Sequence, residues 1–83
     1  MSHAPYLTPT GDEAASLRLH LAGWDDLDAW PRSVSVAILR GFQTVDEIIA
    51  ALGVTNKEVD HGLRQLLGRG LLYDGATRRY LLR

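Results

Sequence analysis

Two helix starts, eleven residues apart, constrain this chain more than any other feature in it. Thr44-Val45-Asp46-Glu47 and Thr55-Asn56-Lys57-Glu58 each place a threonine three residues before a glutamate. In that spacing the threonine hydroxyl accepts from the third amide of a helix, and the glutamate reaches back to the threonine's own amide. The helix opened by Thr44 has Val45, Ile48, Ile49 and Leu52 on one face and stops at Gly53. The helix opened by Thr55 turns Val59, Leu63, Leu66 and Leu67 inward and runs to Gly70, with Val54 tucked in ahead of it. Two capped helices joined by three or four residues through a glycine have helix-turn-helix spacing.

The flanks extend this unit. Pro31 suits a first helical position, where its missing N–H costs nothing. Val34, Ile38 and Phe42, with Ala37 and Leu39 beside them, then make an apolar stripe ending at Gly41-Phe42. Downstream, Leu71-Leu72-Tyr73 reads as a strand, Asp74-Gly75-Ala76-Thr77 as a tight turn, and residues 78–82 as a returning strand. Residues 33–83 are therefore expected to form one module of three helices and a hairpin.

Ahead of it, residues 1–9 contain two prolines and no periodicity, and read as a flexible arm. Thr10-Gly11-Asp12-Glu13 is a third capping box, followed at helical spacing by Ala14, Leu17, Leu21 and Trp24, with Gly23 as the stop. Residues 17–21 also alternate like a strand, but the cap and the alanine-rich start favour a helix. Residues 10–32 are thus expected to be a helical extension, with residues 25–30 as an acidic link. The fold class is mainly α with a small β-hairpin wing, an α+β chain.

The run ILRGFQTVDEIIAALGVTNKEVDHGLRQLLGRGLLYDGATRRYLLR resembles the winged-helix core of MarR-type and ArsR-type transcription regulators. It is also similar to the C-terminal winged helix of DNA-processing protein A. The matching features are Thr44-Val45-Asp46-Glu47-Ile48, Leu52-Gly53-Val54, Arg69-Gly70-Leu71 and the Arg-Arg-Tyr of residues 78–80. The resemblance covers about 50 residues and leaves out the first 32. It implies a winged helix-turn-helix whose third helix enters the major groove and whose wing touches the DNA backbone or minor groove. It also implies a small transcriptional regulator, with dimerisation through an N-terminal helix.

Charge bears on that function in two directions. The chain carries a net charge of −1, against a nucleic-acid partner. Yet residues 1–32 hold five acids against two arginines, while residues 33–83 hold seven bases against five acids. With Val59, Leu63 and Leu66 inward, the outer face of the third module helix holds Asn56, Lys57, Asp60, His61, Arg64 and Gly68. Lys57 and Arg64 suit phosphate or guanine, and Asn56 an adenine edge or a phosphate. Arg78 lies near the hairpin tip, where an arginine can reach phosphate or the minor groove, and Arg79 points to the opposite face of the strand. The competing reading is a solvated helix face and a charged strand edge that deters aggregation. Glu58 is accounted for by its cap, whereas Asp60 has no such role and repels phosphate unless it accepts from a cytosine amino group. Asp60 is the best argument for the alternative function, a protein-interaction module or an accessory subunit of a DNA-processing assembly. Gly62 lets its helix approach something closely, either a neighbouring helix or a DNA backbone.

Other function classes find little support. Without cysteine the chain has no disulfide, thiolate zinc site or cysteine nucleophile. Asp25-Asp26-x-Asp28 lacks a companion carboxylate or phosphate loop, and His3, His20 and His61 lack ligand spacing. No enzyme, metal or cofactor is expected. The N-terminus has no secretory apolar segment, and no apolar run approaches the ~20 residues of a membrane span, so a cytoplasmic protein is expected. Trp24 and Trp30 either pack the extension onto the module or, with residues 10–30, form a homodimer surface.

Overall fold

The computed structural model describes residues 6–82. Helices α1 (Gly11–His20), α2 (Ala29–Leu39), α3 (Val45–Leu52) and α4 (Asn56–Leu67) are followed by strands β1 (Leu72–Asp74) and β2 (Arg79–Leu81). A 3₁₀ turn at Trp24–Asp26 links α1 to α2. The strands form a two-stranded antiparallel hairpin that pairs Leu72 with Leu81, Tyr73 with Tyr80, and Asp74 with Arg79. No helix among the described residues is long and apolar enough to cross a membrane.

All three capping boxes are present. Thr10, Thr44 and Thr55 accept from the amides of Glu13, Glu47 and Glu58, and each glutamate accepts from its threonine's amide. Every donor satisfied this way is one the helix leaves unpaired at its first turn. Thr44→Ala and Thr55→Ala are each expected to lower stability by ~1 kcal/mol in thermal or denaturant melts. Two unchanged melts would show that the caps carry no weight. At the other end of α3, Gly53 adopts φ 67°, the left-handed conformation that closes a helix at little cost in a residue without Cβ.

The central element is α2. Residues 33–38 are all buried in it, including Ser33 and Ser35. One core cluster joins Leu17, Leu21, Trp24 and Leu27 to Val34, Val36, Ile48, Leu52, Val59, Leu63, Leu66 and Leu71. The expected boundary between residues 32 and 33 therefore falls inside a helix and inside a shared core. Pro31 is the third residue of α2, not its first, and Asp28 holds the cap position without a side-chain bond. Pro31 remains harmless there because the first-turn amides have no helical partner to lose.

Ser33 and Ser35 serve the N-terminal segment. Leu7 N donates to Ser33 Oγ, and the Trp24 indole N–H donates to Ser35 Oγ at 2.9 Å. The expected flexible arm is thus docked over residues 6–9, while residues 1–5 lie outside the described residues. Arg40 completes the attachment, donating from Nε and Nη2 to the Glu13 carboxylate at 2.8 and 2.9 Å and to Thr8 O at 3.1 Å. Those bonds hold the Glu13 carboxyl down at about 2. At the far end of α4, Ala22 N donates to Arg69 O, and Arg69 Nη1 donates to the carbonyls of Ala22 and Gly23.

Five expectations about local structure change. The helix opened by Thr10 stops at His20, with Leu21 extended as its cap and Trp24 in the 3₁₀ turn, so Gly23 is not its stop. The helix opened by Thr55 stops at Leu67 with Gly68 as its cap, two residues before Gly70, and Leu67 is 41% exposed, not inward. Phe42 is 39% exposed, because α2 ends at Leu39 and the helical stripe does not continue to it. Finally, the hairpin loop is residues 75–78, so Arg78 belongs to the turn and not to the returning strand. Asp74 draws the turn together by accepting from Ala76 N at 3.0 Å and Thr77 Oγ1 at 2.9 Å.

Candidate nucleic-acid interface

The outward side of α4 is built by elimination. Val59, Gly62, Leu63 and Leu66 are buried, so Asn56, Lys57, Asp60, His61 and Arg64 must face solvent, and all five are exposed. Gly62 explains how closely α4 lies on α2: a Cβ there would sit 2.8 Å from Val34 Cγ2 and 3.2 Å from Trp30 Nε1. The close approach it serves is to a neighbouring helix.

The polar residues on this face divide into three groups. Along the middle, Arg64 Nε donates to Asp60 Oδ2 at 2.8 Å, one helical turn apart. Asp60 therefore does have an internal partner, contrary to the expectation that it stands alone. The pair is visible in sequence as an i, i+4 acid–arginine spacing. Between two exposed side chains such a bridge contributes little stability, but the carboxylate offsets the charge that Arg64 can offer another partner.

On the hairpin side, Asn56 lines a groove of about 450 Å3 with Thr44, Val45, Asp46, Tyr73, Thr77 and Arg78. Arg78 stands at φ 58°, a left-handed conformation unusual for a side-chain-bearing residue. The Tyr73 and Tyr80 rings, 4.7 Å apart between centroids, form the hairpin wall facing α4. Burial raises the Tyr80 hydroxyl above its ordinary range, and the nearby Tyr73 and Asp60 add to the effect.

On the opposite side, Lys57 and His61 meet Tyr6 and Trp30. Sequence spacing does not reveal this meeting, because Tyr6 and Trp30 come from the arm and the start of α2. Lys57 and Arg78 have no carboxylate within ion-pair distance among the described residues.

Arg79 is held elsewhere. It donates to Gln43 Oε1 at 3.3 Å and lies 3.9 Å from Glu47 Oε1, while Tyr80 N donates to Gln43 O at 2.8 Å. These contacts clamp the hairpin to the α2–α3 link and direct Arg79 to that link, away from Arg78. Asp25, one of the clustered acids of the acidic link, accepts from Arg18 Nε at 2.9 Å. Trp24 and Trp30 both spend their indole N–H within the chain, on Ser35 Oγ and Glu58 O. Trp24 is buried and offers no dimer surface, whereas Leu19 on α1 is 87% exposed.

No family model, curated protein or solved structure matches this chain.

Proposed function

We propose that this chain is a winged helix-turn-helix module that binds duplex DNA, with α4 in the major groove and the hairpin tip on the adjoining backbone. The observation that carries the reading is the character of the α4 face. From Asn56 to Arg64 its exposed side chains are all polar, and Lys57 on it and Arg78 across the groove have no carboxylate within ion-pair distance among the described residues. A protein-binding helix is expected to centre on an aromatic or aliphatic anchor, and this face has none until Leu67. Lys57, Arg64 and Arg78 supply phosphate or guanine contacts, and Asn56 supplies an amide for an adenine edge or a phosphate. The clamp between β2 and Gln43 supports the wing assignment, since it holds the hairpin beside α3 and α4. The resemblance of residues 38–83 to regulators points to transcription control in the cytosol, without a cofactor and without a catalysed step.

A second reading is favoured by the Asp60–Arg64 bridge and the net charge of −1: a module that docks a protein partner. Titration of labelled duplex at two salt concentrations separates the two. Lys57→Ala is expected to weaken binding and to flatten the salt slope by about one unit, the signature of one lost phosphate contact. Asp60→Asn is expected to tighten non-specific binding and steepen the slope, because it removes a negative charge and releases Arg64. If neither the wild type nor these variants bind duplex in low salt, the DNA reading is wrong and the protein-docking reading stands.

A further inference from the structure

The side of α4 away from the hairpin has a cleft of about 390 Å3 lined by Tyr6, Trp30, Lys57, Glu58 and His61. Its walls are aromatic: the two rings lie 6.0 Å apart between centroids, tilted by 60°. Trp30 is held in place because its indole N–H donates to Glu58 O at 2.8 Å, which leaves the ring surface as its contribution to the cleft.

Donors outnumber acceptors in the polar capacity that remains. Glu58 Oε1 accepts from the Thr55 amide at 3.1 Å and the Thr55 hydroxyl at 3.0 Å, which ties the carboxylate to the helix cap and leaves Oε2 without a partner among the described residues. His61 Nε2 lies 3.2 Å from Gln65 Nε2, so that ring nitrogen is engaged along α4 and Nδ1 is left for a ligand. What is left to bind a ligand is the Lys57 ammonium, His61 Nδ1 and the Tyr6 hydroxyl, with Glu58 Oε2 beside them. Donors and a cation beside aromatic surface suit a ligand that joins anionic oxygens to a flat or apolar ring. A nucleotide unit has that chemistry. Lys57 and His61 also belong to the exposed face of α4, so the cleft and the proposed DNA face are continuous.

We infer that this cleft takes one nucleotide unit of the backbone of the bound DNA, its phosphate on Lys57 and His61 and its sugar against Tyr6 and Trp30. The inference rests on the duplex-binding reading above, and it makes the N-terminal segment part of the DNA interface. The docked arm then has a function beyond stability.

Tryptophan fluorescence during duplex titration tests it, since Trp24 is buried against Ser35 and Trp30 is the indole at the cleft. Duplex is expected to quench the wild type, and Trp30→Phe is expected to lose that signal. Tyr6→Ala should weaken duplex binding by about fivefold, the low end of what an aromatic contact to a nucleotide contributes. Lys57→Gln, a change on an exposed side chain, should reduce the quenching, and thermal melts establish that each variant is folded. Duplex binding with unchanged fluorescence, and with Tyr6→Ala equal to wild type, overturns the cleft assignment and leaves the duplex reading intact. Absence of duplex binding overturns both. Quenching by deoxyadenosine monophosphate in a protein that binds no duplex also overturns the strand assignment, and identifies a free-nucleotide site in its place.

Discussion

A chain cut to residues 33–83 is expected to give no cooperative melt and little helical circular dichroism at room temperature, while the full chain gives both. The cut passes through α2, removing Ala29–Arg32 from its first turns. It also removes Leu17, Leu21, Trp24 and Leu27, all fully or almost fully buried in the common core. Truncating one large buried side chain to alanine costs ~2–5 kcal/mol, and whole domains are stable by only ~5–15 kcal/mol. Losing four such residues therefore exceeds what the rest of the chain can supply. Two buried hydroxyls would suffer as well: Ser33 would lose the amide of Leu7, and Ser35 the indole of Trp24. A milder form of the test is Trp24→Ala in the full chain, expected to cost ~3–5 kcal/mol in urea melts. A cooperative melt from residues 33–83 alone would show that the winged-helix segment is independent of what precedes it.

Gly62→Leu is expected to destabilise the protein by about 3 kcal/mol, because it forces α2 and α4 apart at their closest point. Gly62→Ala decides between two effects of similar size. Alanine in mid-helix is favoured over glycine by ~1 kcal/mol. Against that, its Cβ would lie 2.8 Å from Val34 Cγ2, and Val34 is fully buried between the helices. Overpacking of this kind costs ~1–3 kcal/mol, so a net loss is expected even for alanine. The same Cβ approaches Trp30 Nε1 to 3.2 Å and so disturbs the bond that orients Trp30 over the cleft. Urea melts of both variants test this. A Gly62→Ala protein stabilised by the full propensity difference would mean that the helix pair can separate without cost.

How far each feature could be read in advance follows from how local its cause is. The three capping boxes and the Gly53 stop involve residues no more than four apart, and each forms as the spacing dictates. The inward positions Val59, Leu63 and Leu66 follow from helical periodicity alone. The Asp60–Arg64 bridge is equally local and equally legible, and it changes what the α4 face can offer. The hairpin also forms where the pattern places it, but its loop is shifted. Asp74 bonds into the turn through its side chain, which makes Arg78 the left-handed residue where an Asp-Gly signal points to an earlier one.

The amino-acid sequence by itself determined the order of the elements, the starts of the three helices opened by a capping box, and the polar character of the α4 face. Whether residues 10–32 stand apart from residues 33–83 was decided only in three dimensions. Ser33 and Ser35 look like solvent-facing residues in the chain, yet they are buried because Leu7 N and the Trp24 indole reach them across 26 and 11 residues. The use of Gly62 was settled the same way, by Val34 and Trp30 arriving from α2. So was the cleft, in which Tyr6 and Trp30 meet Lys57 and His61. Caps and periodic faces depend on neighbours along one helix, so a short window of sequence contains their cause. Burial, close approach and the composition of a cleft depend on which distant surfaces pack together, and only the folded chain brings those surfaces into contact.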